Sequence, residues 1–215
     1  MRHRILTTVL RWLAVALILR VLVAILANYP DYFPPDFDSL FLQGRETTFT
    51  GVYPAAFYVH IFSGPVVLVN GLVLLSDTVR RRYGPVHRWL GRVQVAVLLL
   101  LVLPSGVVMA RHAFGGWPAG LSFLVLSLAT SGCAIGGVVH ARRRQFARHR
   151  RWMLRTYVLI CSAVALRLIS GAAGLTGVTN AEEAYAVAAR GSWLVPLGAY
   201  ELAERAQKKG PSWAA

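Results

Sequence analysis

The residues with the most chemistry to offer are histidines. There are six: His3 near the N-terminus, His60 and His112 toward one end of the apolar runs around them, and His87, His140 and His149 toward the other. Neutral imidazole is a common axial ligand for haem iron, so two histidines on facing helices can clamp a haem b. The spacing nominates His60 with His112, and His87 with His149. One pair at each membrane face would make a transmembrane electron path. A quinol could serve as donor, and Arg20, Arg111, Arg167 or Arg190 could meet haem propionates. On a continuous helix His87 and His112 stand about 37 Å apart. That exceeds the ~30 Å hydrocarbon core, so both sites would lie at the interfaces and be partly wet.

The inner histidines also have a reading without metal. His87-Arg88-Trp89 is followed by Arg92, and His149-Arg150-Arg151-Trp152 by Arg155, so a His-Arg-Trp-Arg pattern opens two apolar runs. Guanidinium groups about one turn apart at a helix entrance suit an anionic lipid headgroup or a phosphate. Arg88, Arg92, Arg150 and Arg155 are the candidate anchors. A bare metal ion has no support: there is no HExxH, no Cys/His ligand cluster and no carboxylate-rich set. Cys133 and Cys161 both lie in apolar runs and read as packing residues. No GxSxG, P-loop or dinucleotide fingerprint is present, so no catalytic residue is nominated.

These residues must be held by membrane helices. Of the 215 residues 56% are hydrophobic and only 15% charged, with a mean hydropathy of +0.52. A soluble domain carries about 25% charge. The net charge of +14 lies in short loops beside apolar runs, which is the positive-inside pattern rather than a nucleic-acid surface. The expectation is an all-α polytopic transmembrane bundle of about six spans, with both termini cytoplasmic and the bilayer as its first partner.

In chain order, residues 1–28 form a retained first span, too long for a signal-peptide core. Residues 29–53 make an outer loop rich in aromatic and acidic residues. There Tyr29, Tyr32, Phe33, Phe37 and Phe41 are expected at the membrane interface. Residues 54–205 form the core helical domain, and 206–215 a cytoplasmic tail. Within the core, Ser63-Gly64-Pro65 should bend the second span and free backbone groups near His60 and Ile61. Gly132 and Gly136 form a small-xxx-small pair that permits close helix contact. Charges inside spans need partners. Arg167 is expected to pair with Glu182 or Glu183 at the outer end. Glu201, level with Arg92 and Arg155, is expected to pair at the inner end.

Several of these segments, taken together, carry a resemblance. They are His60-Ile61-Phe62-Ser63-Gly64, His87 to Arg92, Arg111 to Gly116, His149 to Arg155, Leu166-Arg167-Leu168 and Glu182-Glu183-Ala184-Tyr185. Over about Tyr53 to Glu204 the chain resembles a family of uncharacterised bacterial multi-pass membrane proteins, domain of unknown function 2306. The resemblance implies an all-helical domain of the bacterial cytoplasmic (inner) membrane, with His60, His87, His112 and His149 at typical motif positions. It implies no activity. Arg190 departs from the family pattern, which has an apolar residue there.

Overall fold

The computed structural model describes residues 2–39, 41–43, 45–175 and 180–209. The described residues are mainly helical, with no β-strand and one long loop between the first two helices: α1 Arg2–Ala27, α2 Tyr53–Leu74, α3 Asp77–Arg82, α4 Gly84–Val97, α5 Leu103–Ala110, α6 Gly116–Arg142, α7 Phe146–Ile160, α8 Ser162–Leu175 and α9 Ala181–Lys209. The helix starts follow local chemistry. Proline stands in the first turn of α2 and α4, where its missing N–H costs nothing. The Ser76 side chain caps α3 through the Val79 amide.

Two breaks fall inside spans. A π-helical segment, Leu98–Val102, joins α4 to α5, and Pro104 lies two residues beyond it. Proline cannot give its amide to the preceding turn, and a widened turn accommodates that loss without ending the helix. Cys161 separates α7 from α8.

Five stretches are long and apolar enough to cross a membrane: Thr8–Asp31, Tyr53–Leu74, Gly84–Ala110, Gly116–Arg142 and Phe146–Ala172. The sixth expected span, α9, is 29 residues long and packs along α6, α7 and α8. It is not among the five because Glu182, Glu183, Arg190 and Glu201 dilute its apolar content. "Outer" and "inner" below denote the two bundle ends expected from the Lys/Arg distribution.

The bundle is stitched by small residues and by polar groups that satisfy one another. In the inner half, Asn70 donates to the Leu90 carbonyl (3.0 Å) and to Gln94 Oε1 (2.9 Å). Gln94, 3% exposed, returns a bond to the Val67 carbonyl at 3.0 Å. Buried amides are tolerated in a membrane when paired in this way. A methyl at Gly71 would sit 2.3 Å from the Tyr157 ring. The bare backbone there lets Tyr157 lie against α2 and donate to the Leu68 carbonyl at 3.2 Å. The same cluster gathers Ile18, Val21 and Leu22 of α1 and Val164 of α8. Helix α9 is tied to α6 by Ser122 and Trp193: the indole donates to Ser122 Oγ at 3.0 Å, and Ser122 donates to the Ala189 carbonyl at 3.2 Å.

The glycine expectation for α6 needs correction. No neighbour lies near a methyl built at Gly132, whereas Gly136 meets the Trp152 ring and Gly137 meets the Met153 sulfur at 2.5 Å. The close approach is therefore made by Gly136 and Gly137. The α7 side chains that fill the contact decide which glycines matter, and a four-residue spacing alone does not reveal them.

The aromatic residues of the outer loop pack on one another and on α2. Tyr32, Phe41 and Phe49 all meet Phe57, and Leu42 and Phe57 are fully buried. The segment is a folded aromatic cap over the outer end of α2 and α5. Edge-to-face contacts among rings add to the area buried.

Candidate functional site

The inner histidines come from two helix entrances. Pro85 starts α4 and places His87 in its first turn; α7 begins at Phe146 and places His149 likewise. His149 Nδ1 lies 2.8 Å from the Gly137 carbonyl. A carbonyl only accepts, so Nδ1 carries the proton and, in neutral imidazole, Nε2 keeps a free lone pair. A ligating histidine commonly has this arrangement, one ring nitrogen held by the backbone and the other open. His87 is near enough to feel the charge of His149, Arg80 and Arg88. Its Nδ1 is buried without a hydrogen-bond partner. Helices α4 and α7 do not pack closely on each other, and the link between the two imidazoles is the charge of His149 felt at His87.

His140, at the end of α6, is occupied otherwise. It bonds Gln145 Oε1 at 2.7 Å and stacks on Trp152.

The outer pair is not brought together. His60 Nδ1 lies 3.1 Å from Ser105 Oγ. The Ser105 hydroxyl also reaches the Leu101 and Val102 carbonyls, and the His60 ring itself engages the Val102 backbone, so these groups hold the imidazole against α5. His112 is exposed and rests edge-on against Tyr53, with ring centroids 5.2 Å apart. Tyr53 precedes His60 by two turns of α2, about 10 Å along the axis. The two rings thus engage different neighbours at different depths, and α2 packs directly on α5 between them.

Around His60 the structure gathers groups that sequence alone does not connect. Pro65 cannot donate to the Ile61 carbonyl, and the Tyr29 hydroxyl supplies the missing bond. Arg167 of α8 is close enough for its charge to reach His60, Tyr29, Tyr32 and Tyr185. Among the described residues it bonds the Ala163 carbonyl of its own helix, at 3.1 Å. The expected ion pair with Glu182 or Glu183 does not form. Both acids are exposed in the first turn of α9, where the helix dipole already favours them.

At the inner end the expected pairing does form. Arg155 Nε lies 2.5 Å and Nη2 3.0 Å from the two carboxylate oxygens of Glu201. The guanidinium also lies over Trp152 and near the Tyr200 ring. Arg155 is therefore a brace between α7 and α9 before it is a headgroup anchor. Arg88, Arg92 and Arg150 are exposed and form no ion pair among the described residues. Asp77 lies at the same end. Its carboxyl is held below the usual range first by the hydrogen bond from Arg80, with Arg150 and Arg81 adding to the effect. Arg20 and Arg190 are both exposed, and Arg190 bonds the Ala186 carbonyl of its own helix.

One important residue had no motif to reveal it. Arg45 donates from Nη1 to the Tyr53 hydroxyl and to the His112 carbonyl, both at 2.9 Å, and from Nε to the Phe41 carbonyl at 3.0 Å. It latches the cap to α2 and to the end of α5. Its only sequence signal is a lone cation in an acidic loop.

Among the described residues no three His, Cys, Asp or Glu side chains gather to hold a bare metal ion. Any metal at a two-histidine site would have to bring its remaining ligands with it, as a porphyrin does. Against known proteins, neither the curated proteins nor the solved structures contain a match. The model of one family, described as a predicted membrane protein (DUF2306), matches residues 57–203. The match covers most of the chain, including all four motif histidines and the Arg155–Glu201 brace. This chain is a multi-helix membrane protein of the DUF2306 family.

Proposed function

We propose that this protein binds haem b between α4 and α7, with His87 and His149 as axial ligands, and carries electrons within the membrane. The observation that carries the reading is the state of the inner pair. The His149 Nδ1 proton is committed to Gly137, leaving Nε2 open. Nearby, a buried His87 nitrogen lacks any partner. Haem b would supply a one-electron couple at this site. The chain's own residues set the tautomer of His149, hold α7 in place through Arg155 and Glu201, and surround the pair with cations. Arg80 and Arg88 provide positive charge near His87, which suits propionates and favours a reduced, more negative centre. The separation of His60 from His112 argues for one haem at the inner end rather than one at each face.

The test is haem content by pyridine haemochrome on purified variants. His87→Ala and His149→Ala should each abolish stoichiometric haem, while His60→Ala and His112→Ala retain it. Equal haem content in all four variants would defeat the assignment.

A second reading has its own observation. Arg88, Arg92 and Arg150 are exposed and without an ion pair at the inner end, as expected for a cofactor-free bundle whose entrances hold anionic headgroups. Under that reading the protein purifies colourless, and Arg92→Gln weakens retention of phosphatidylglycerol.

A further inference from the structure

Helices α7 and α9 diverge at their inner ends, beyond the Arg155–Glu201 brace, and leave a cavity of about 420 Å³. On α7 it is lined by Ala147, Arg150, Arg151 and Leu154, which share one face at helical spacing. On α9 it is lined by Tyr200 and Glu204, one turn apart. Three features set this cleft apart from an ordinary solvated helix face. Two guanidinium groups stand on one wall and a carboxylate on the other, yet neither arginine forms an ion pair with Glu204. The Tyr200 hydroxyl is buried and closes no well-formed hydrogen bond, with the Glu204 carboxylate the acceptor within reach. A ligand oxygen at this cleft would give the hydroxyl a better-placed acceptor. The cleft also lies at the basic end of the bundle, the end that the Lys/Arg distribution is expected to set at the membrane surface.

The charges select the ligand class. A purely anionic group would satisfy Arg150 and Arg151 but would be repelled by Glu204. A group with a phosphate beside an N–H-bearing cation satisfies both walls.

We propose that this cleft binds the headgroup of a phosphatidylethanolamine-type lipid. Arg150 and Arg151 hold the phosphodiester, the Tyr200 hydroxyl donates to a phosphate oxygen, and Glu204 accepts from the primary ammonium. Leu154 and Ala147 face the glycerol and the first methylenes, so the intact lipid is the ligand rather than a soluble phosphoethanolamine. The site is independent of whether the inner histidines hold haem.

The experiment is lipid retention by the full chain, read by native mass spectrometry after exchange into detergent with dioleoyl phosphatidylethanolamine, phosphatidylcholine or phosphatidylglycerol. Phosphatidylcholine carries the same phosphate but no N–H on its cation, so it isolates the contact with Glu204. The ethanolamine lipid should bind about tenfold more tightly than the choline lipid, the worth of one charge-assisted hydrogen bond. Glu204→Gln should erase that preference, bringing the ethanolamine lipid down to the affinity of the choline lipid in the same variant. Tyr200→Phe, which keeps the ring under Arg155, should weaken both lipids several-fold. Equal binding of the ethanolamine and choline lipids by the unmodified chain would overturn the proposal, as would tighter binding of phosphatidylglycerol. Displacement of the lipid by free phosphoethanolamine at equal concentration would also overturn it.

Discussion

Replacing Arg155 by Met removes a charge while keeping an apolar stem of similar reach. In the structure both charged groups of the brace are mostly withdrawn from solvent, Arg155 being 22% and Glu201 31% exposed. Exposed ion pairs contribute about 0–1 kcal/mol, and removing one member of a fully buried pair costs about 3–5 kcal/mol. A bidentate pair at this intermediate exposure should fall between, at about 2 kcal/mol for the lost Arg155–Glu201 contact. Loss of the cation from the Trp152 and Tyr200 rings adds about 0.5–1 kcal/mol. The total of about 2.5–3 kcal/mol corresponds to a fall in midpoint of about 5–10 °C for a chain of this length. The assay is thermal inactivation of the detergent-solubilised protein, followed by size-exclusion monodispersity, with a double-mutant cycle. Glu201→Gln should cost about 2 kcal/mol alone. The Arg155→Met/Glu201→Gln pair should cost clearly less than the sum of the singles, with a coupling of about 1–2 kcal/mol. Strict additivity, or single variants within about 0.5 kcal/mol of the unmodified protein, would refute the idea that this pair braces α7 against α9.

Other substitutions probe other joints. Gly71→Ala pushes a methyl into the Tyr157 ring and should cost about 1–3 kcal/mol, despite the better helix propensity of Ala; Tyr157→Leu in the same background should recover part of the loss. Tyr29→Phe leaves the Ile61 carbonyl freed by Pro65 without its donor, a loss of about 1–3 kcal/mol seen as a lowered midpoint. Arg45→Met removes three bonds that hold the cap and should make the 29–53 loop the first site of limited proteolysis, with the helical core intact. Trp193→Phe leaves Ser122 without its indole donor and should cost about 1 kcal/mol.

The spans were legible because a bilayer demands about 20 apolar residues per crossing, and that demand is written in composition. The limit of this logic is α9. Its length and packing fit the bundle, but Glu182, Glu183, Arg190 and Glu201 keep it from reading as apolar. The inner brace could be foreseen because Arg155 and Glu201 fall at the same depth on elements that run in opposite directions. The same depth argument failed for Arg167 and Glu183. Equal depth does not fix azimuth, and the first turn of α9 offers its acids a competing partner in the helix dipole. Histidine pairing failed for His60 and His112 for a similar reason. Both lie toward the outer end, but the register of α2 against α5 sets Ser105 opposite His60 and Tyr53 opposite His112. Pro65 pointed to a freed carbonyl, yet nothing in the sequence named Tyr29 as its donor, since that contact depends on how a proline-rich loop folds back. The π-helical segment before Pro104 was equally hidden, because an apolar run reads the same whether its turns are wide or narrow.

The most direct test of the haem assignment is the absorption spectrum of the purified full-length protein, oxidised and then dithionite-reduced, from cells supplied with ample haem. The account expects a Soret band that shifts on reduction and sharp α and β bands, at one haem per chain. A colourless protein under those conditions would contradict it and leave the inner histidines as parts of a basic membrane anchor.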